Sequence, residues 1–185
     1  VLVNGAAGAS GRLAIQIAKH LGASRVIATA RNPAVEPALR ELGADTFIAL
    51  DQPAEKLVAA FRHEMQAEGV DVVLDYLWGP PAACILDAAA GHGSAEAAPR
   101  IRFVNIGSLA GAALPVAAGL LRSSGLELLG SGLGSVSHEE LVKIVGELMQ
   151  VVKSAQLKID ATPVPLQDVE AAWGRTTAER MVLTF

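Results

Sequence analysis

Apolar positions along this chain follow two periods. Short runs rich in Val, Ile and Leu recur between stretches whose apolar residues repeat every three or four positions, the pattern of strands alternating with helices. Val1, Leu2 and Val3 run into Asn4 and Gly5, a strand followed by a glycine-rich turn. Residues 12–21 predict a helix, with Leu13, Ile17 and Leu21 on one face and Gly22 closing it. Residues 25–30 predict the second strand. Asn32 and Pro33 then read as cap and first residue of a helix ending at Leu42 and Gly43. A third strand is expected at 46–50, a helix carrying Leu57, Phe61 and Met65, a fourth strand at 70–77 and an alanine-rich helix at 82–90. Residues 91–99 are small and polar and predict a flexible loop. Strands five and six fall at 101–106 and 126–129. Residues 139–152 form a strongly periodic helix with Leu141, Ile144, Val145, Leu148 and Val152 on one face.

Six strands alternating with helices predict an α/β fold, a Rossmann-type doubly wound, six-stranded parallel sheet. The pattern changes after Ser154. The stretch 158–164, a helix at 166–173 and the run 181–185 leave the alternation and read as a short remnant of another domain. The expected division is therefore 1–157 and 158–185. One uncharged run, 103–121 between Arg102 and Arg122, imitates a membrane span. It contains Asn105, Ser108, Pro115 and the glycines 107, 111 and 119, and it predicts a buried strand, a loop and a buried helix.

Composition narrows this picture. The chain has 185 residues, 51% hydrophobic and 18% charged, which excludes intrinsic disorder. A net charge of -4 argues against a nucleic-acid groove. The single cysteine, Cys84, allows no intrachain disulfide and no multi-cysteine zinc site, and fits a reducing, cytoplasmic setting. The chain opens at Val1 inside a strand, without Met, so further sequence is expected upstream.

The chemistry concentrates after the first strand. Ala6-Ala7-Gly8-Ala9-Ser10-Gly11 matches A-x-G-x-x-G between a strand and a helix. Small residues there let the turn tighten, the backbone approach a pyrophosphate and the helix pack close to the sheet. The helix N-terminus offers free N–H groups to the phosphates. At the end of the second strand, where an NAD site holds a carboxylate for the ribose 2′-OH, this chain has Thr29, Ala30, Arg31 and Asn32. Arg31 is suited to grip a 2′-phosphate, so NADP(H) is favoured over NAD(H).

These residues together resemble the medium-chain dehydrogenase/reductase superfamily. The matching segments are the opening 32 residues, Leu42-Gly43-Ala44-Asp45, GVDVVLDYLWG at 69–79, RFVNIGS at 102–108 and PVPLQDVEAAW at 163–173. The A-x-G-x-x-G loop is more similar to the quinone oxidoreductase and enone reductase branch than to the zinc alcohol dehydrogenases. The resemblance implies a cofactor domain, with a C-terminal return to a catalytic domain whose N-terminal part is absent. It implies a cofactor cradle of Ala6, Gly8, Ser10 and Gly11 at the phosphates and Thr29, Arg31 and Asn32 at the adenosine ribose. Asp75, Tyr76 and Leu77 would line the crevice. Ile106, Gly107 and Ser108, with Gly130 and Ser131, would hold the nicotinamide. No catalytic residue carries over.

Other constellations add little. A Tyr-x-x-x-Lys pair is ruled out, since Tyr76 is the only tyrosine and position 80 is proline. His20, His63, His92 and His138 lack metal-binding spacing, and no metal is expected. Trp78 either caps the adenine or packs inward. The sixth strand, apolar and at an edge, invites pairing with a second copy, and the resembled family often forms such homodimers. The reading is a quinone, enone or carbonyl oxidoreductase acting on a small molecule. The alternatives are a zinc-dependent alcohol dehydrogenase or a non-catalytic NADPH-binding sensor.

Overall fold

The computed structural model describes residues 1–90, 98–175 and 180–185. Six parallel strands form one sheet in the order β3-β2-β1-β4-β5-β6. They are β1 (Leu2–Asn4), β2 (Ile27–Ala30), β3 (Thr46–Ala49), β4 (Val72–Asp75), β5 (Arg100–Asn105) and β6 (Gly125–Gly130). This is the doubly wound order, and its direction reverses between β1 and β4. The helices are α1 (Ala9–His20), α2 (Glu36–Glu41), α3 (Ala54–Ala67), α4 (Gly79–Ala89), α5 (Ala118–Arg122), α6 (His138–Val151) and α7 (Val169–Trp173). A separate two-stranded sheet pairs β7 (Ala161–Pro165) with β8 (Arg180–Thr184) in parallel.

The core has two layers because successive strand residues point to opposite faces. Leu2, Ile27, Val73 and Phe103 pack with Leu57 and Phe61 of α3, Ile85 of α4 and Leu120 of α5. On the other face Val3 and Ala28 pack with Ala14, Ile15 and Ala18 of α1 and Leu39 of α2. Near-continuous apolar strands are therefore required of the first four, and the chain has them.

Several boundaries differ from the sequence reading. Helix α1 starts three residues before 12, because Gly8 in extended geometry (φ -74°, ψ 165°) already serves as its cap. The helix expected from Pro33 begins as a 3₁₀ turn, Pro33–Val35, capped by Asn32, whose Oδ1 accepts from Ala34 N at 3.0 Å. Pro37 near the start of α2 is what separates the two pieces. The run 103–121 holds β5, a loop and only the five-residue α5, which buries Leu120 alone, so the expected buried helix is a short and mostly exposed one. Helix α6 forms as expected, yet none of its residues is buried. Among the described residues no helix is long and apolar enough to cross a membrane. Most of the loop expected at 91–99 lies outside the described residues.

Candidate functional site

The strand register places Thr29, Asn4, Asp75, Asn105 and Gly130 side by side across five strands, at their carboxyl ends. Four of these are polar, and Asn4, Thr29 and Asp75 are fully buried. Each buried polar atom must find a partner. Here they find one another. Gly5 N donates to Thr29 Oγ1 (3.0 Å), whose hydroxyl donates to Asn4 Oδ1 (2.8 Å), and Asn4 Nδ2 donates to Asp75 Oδ1 (2.8 Å). Asp75 also accepts from Leu77 N and from Trp78 N, both at 3.1 Å, and from Asn105 Nδ2 at 3.3 Å. Its main-chain carbonyl accepts from Ile106 N (2.7 Å) and Gly107 N (3.1 Å). One carboxylate thus ties the loops after β1, β4 and β5 into a unit at the point where the sheet reverses.

Above this row lies the glycine loop. Gly5 is in the left-handed region (φ +92°), where a side chain is strained, and a Cβ there would meet the Leu77 side chain at 2.8 Å. A Cβ at Gly11 would lie 2.5 Å from Gly5 O and 2.6 Å from Ala6 Cα, so α1 sits against the loop only because residue 11 has no side chain. Gly8 is different. Its φ is ordinary, and a Cβ there would meet nothing within 4 Å. Nothing in the chain itself requires glycine at position 8. It stands at the N-terminus of α1, which has no side-chain cap. The first N–H groups of a helix left in this way carry partial positive charge and attract anions.

Gly8 lines a cavity of about 300 Å³ together with Gly5, Ala7, Ala30, Arg31, Leu50, Leu77, Pro81, Leu109 and Ala110. Arg31 is exposed and makes no hydrogen bond or ion pair with the described residues. Leu50, Pro81, Leu109 and Ala110 escaped the sequence reading. Leu50, Leu109 and Ala110 come from the loops after β3 and β5 and Pro81 from the first turn of α4, and only the fold brings them together. Asn4 was read as a turn residue. Its signal was available: an apolar strand that ends in an uncharged polar residue one position before glycine.

The structure divides the sequence-predicted residues into groups. Gly8, Arg31 and Leu77 line the cavity. Ala6 and Gly11 are buried beneath it, and Ser10 is exposed in the first turn of α1. Thr29 and Asp75 lie in the polar row, with their side-chain groups committed within the fold, and Asn32 caps its own turn. Tyr76 and Ile106 line a separate groove of about 620 Å³ on the α1 face, beside Ile17, Leu74 and Arg102. Burial raises the Tyr76 phenol above its usual pKa. Gly107 backs onto Tyr76, since a Cβ there would stand 2.7 Å from Tyr76 O. Ser108, Gly130 and Ser131 are exposed, and Ser131 N donates to Asn105 O at 2.8 Å. Trp78 packs inward, its ring edge-on to Phe103 with centroids 6.1 Å apart. It holds a left-handed backbone (φ 56°) while its N–H donates to both Asp75 carboxylate oxygens. Among the described residues no three His, Cys, Asp or Glu side chains gather as a metal site requires.

The sequence and fold are similar to those of known proteins. Residues 9–150 match the family model described as zinc-binding dehydrogenase. The chain is 30% identical over 187 residues to a probable NADPH-dependent quinone reductase, tdiC, of Emericella nidulans, covering 94% of this chain and 50% of that one. Quinone oxidoreductase of Escherichia coli, solved in complex with NADPH, superposes with a TM-score of 0.71 at 26% identity over 92% of this chain and 51% of that one. A 2-haloacrylate reductase superposes with a TM-score of 0.78 at 26% identity, over 98% and 56%. The chain thus spans about half the length of each.

Proposed function

This chain belongs to the zinc-binding dehydrogenase family of the medium-chain dehydrogenase/reductase superfamily, and we propose that it is the NADP(H)-holding part of a reductase acting on a quinone or an activated carbon–carbon double bond. One observation carries the reading. A glycine that the fold itself does not need, Gly8, caps the N-terminus of α1 without a side chain, in the same cavity as Arg31, which has no partner among the described residues. The residues present fit a dinucleotide phosphate. The backbone from Ala7 to Ser10 would hold the pyrophosphate, and Arg31 would hold the 2′-phosphate through charge-assisted hydrogen bonds. Leu50, Pro81 and Leu109 offer an apolar wall to the adenine.

Thr29, Asn4 and Asp75 act one layer below, fixing the loop that makes these contacts. Gly107, Ser108, Gly130 and Ser131 stand at the carboxyl ends of β5 and β6, where backbone groups would hold the nicotinamide. When bound, the cofactor supplies the hydride. The protein orients it and excludes water. The NADPH-dependent relative and the NADPH-bound structural neighbour support this reading, as does a neighbour named for reducing a haloacrylate. Residues 1–157 are proposed as the cofactor domain and 158–185 as the return toward a substrate-side domain.

The test is nucleotide preference. NADPH is expected to bind more tightly than NADH. Arg31→Ala should weaken NADPH about 10- to 100-fold, the worth of hydrogen bonds to a charged group, and leave NADH unchanged. Equal affinities for the two nucleotides in the unsubstituted chain would sink the NADP(H) assignment. We also propose that β6 pairs with β6 of a second copy. It pairs with β5 alone among the described residues and exposes Leu128 and Leu129. Light scattering should give a dimer mass, and a clean monomer would count against this.

A further inference from the structure

Gln16 is a polar residue of α1, only 8% exposed, on the side of the helix that carries Arg12 rather than with the sheet-packed Ala14, Ile15 and Ala18. Its amide is fully used. Nε2 donates to Lys158 O (2.9 Å) and to Arg12 O (3.2 Å), while Oε1 accepts from Lys158 N (2.7 Å). This two-pronged clasp holds the backbone of a residue 142 positions away. One turn earlier on the same helix, Arg12 spans two regions. Its Nε donates to Ala7 O of the glycine loop at 3.1 Å, and its Nη1 pairs with the Asp160 carboxylate. Asp160 immediately precedes β7, and its carbonyl accepts from Arg180 N of β8 at 3.2 Å. A continuous polar path therefore runs from the phosphate loop through Arg12 and Asp160 into both strands of the small sheet.

Apolar burial adds little to the hold on that segment among the described residues. In β7 only Val164 is buried, and in β8 no residue is. The attachment is polar and directional, so it fixes a position more than it supplies apolar burial. It also sits on the helix whose N-terminus faces the cavity. A flexible surface arm would need neither a buried glutamine nor an arginine forked between loop and tail.

We propose that Arg12 and Gln16 are positioning residues that couple filling of the phosphate loop to the seating of residues 158–165. This rests on the reading of that loop as a dinucleotide site. Gln16 seats the segment. Arg12 makes the seating sensitive to the loop, because its acceptor, the Ala7 carbonyl, belongs to the backbone that an anion would order. With the loop ordered, the guanidinium loses less freedom when it pairs with Asp160. The coupling is reciprocal, so whatever loosens the tail also weakens nucleotide binding.

Hydrogen exchange across 158–165, read with and without saturating NADPH, tests this alongside calorimetric affinity. NADPH should slow exchange there about 5-fold, at the low end of ordinary coupling. Arg12→Ala should still bind NADPH, about 5-fold more weakly, and lose that slowing. Asp160→Ala changes an exposed side chain that cannot unfold the sheet, and it should lose the slowing as well, whereas Asp160→Glu keeps it. Gln16→Ala should leave the segment fast in both conditions. A purely structural pair would change basal exchange and leave the response to NADPH intact, which would overturn the proposal. So would a wild-type tail that ignores bound NADPH. No NADPH binding at all would instead overturn the cofactor reading and the coupling with it. The basal exchange of Gln16→Ala would then still report on the clasp.

Discussion

Helices α1 and α6 are similar in length and amphipathic design, and their environments are opposite. Helix α1 buries Gly11, Ala14, Ile15, Gln16 and Ala18, with Ala14, Ile15 and Ala18 packed against the sheet. Helix α6 has an equally regular apolar face and buries nothing, with Val142, Ile144, Val145 and Met149 all exposed. Both helices are well started. Gly8 caps α1 with bare backbone, whereas Ser137 caps α6 through its side chain, accepting from Glu140 N at 3.1 Å. The difference teaches that a helical period specifies a face but not the surface that covers it. It also shows where each kind of cap belongs. The helix that keeps its N-terminal N–H groups open is the one beside the cavity.

Three paired substitutions would break or sharpen this contrast. The largest effect is expected from truncating the two apolar faces. Ile15→Ala, at a fully buried site, should cost about 3 kcal/mol in urea unfolding. Ile144→Ala on α6 should stay within about 0.5 kcal/mol. Comparable losses at both sites would mean that α6 is covered in solution.

The helices also carry one glycine each in their bodies. Gly11→Ala pushes a methyl into Gly5 O and Ala6 Cα and should destabilise by about 2 kcal/mol. Gly146→Ala meets nothing and should stabilise by about 0.5 kcal/mol. Thermal unfolding would read both, and a stabilising Gly11→Ala would refute the close approach of helix and loop.

The smallest effect concerns charge. Burial alone would raise the Asp45 carboxyl. Lys19 of α1, 2.6 Å away, and the Val26 N–H outweigh it and hold the carboxyl below its ordinary 3.8. A depressed folded-state pKa stabilises above the unfolded value and is lost as pH falls through the folded one. The stability gap between wild type and Asp45→Asn should therefore be full at neutral pH and close below about pH 4. Glu147→Gln, breaking the exposed 3.9 Å pair with Lys143 on α6, should show no such gap at any pH.

Much of the sheet was legible in the chain because parallel strands need long apolar runs, and those are visible one strand at a time. The glycine loop was legible because tight turns restrict residue type locally. The polar row was not. Asn4, Thr29, Asp75 and Asn105 are scattered over a hundred positions and become neighbours only through register. Register depends on how whole strands pair, which no single segment encodes. The same limit hid the pairing of Leu50, expected at the end of the third strand, with Leu109 in the uncharged run 103–121, since they share a cavity only after folding. It also explains α6, where periodicity was read correctly while burial depended on a neighbour that the described residues do not provide.

The loops after β4 and β5 meet backbone to backbone. Ala110 N donates to Leu77 O at 2.7 Å, and a Cβ at Gly79 would stand 2.5 Å from Ala110 O. With Gly107 pressed on Tyr76 O, neither loop has slack to move without the other. Mechanically, the crevice then has one stiff jaw. On the nucleotide reading proposed above, breathing that admits or releases the ligand would fall to the opposite side, where Arg31 stands on a surface turn. Cofactor preference and the hinge of entry would thus reside in the same few residues.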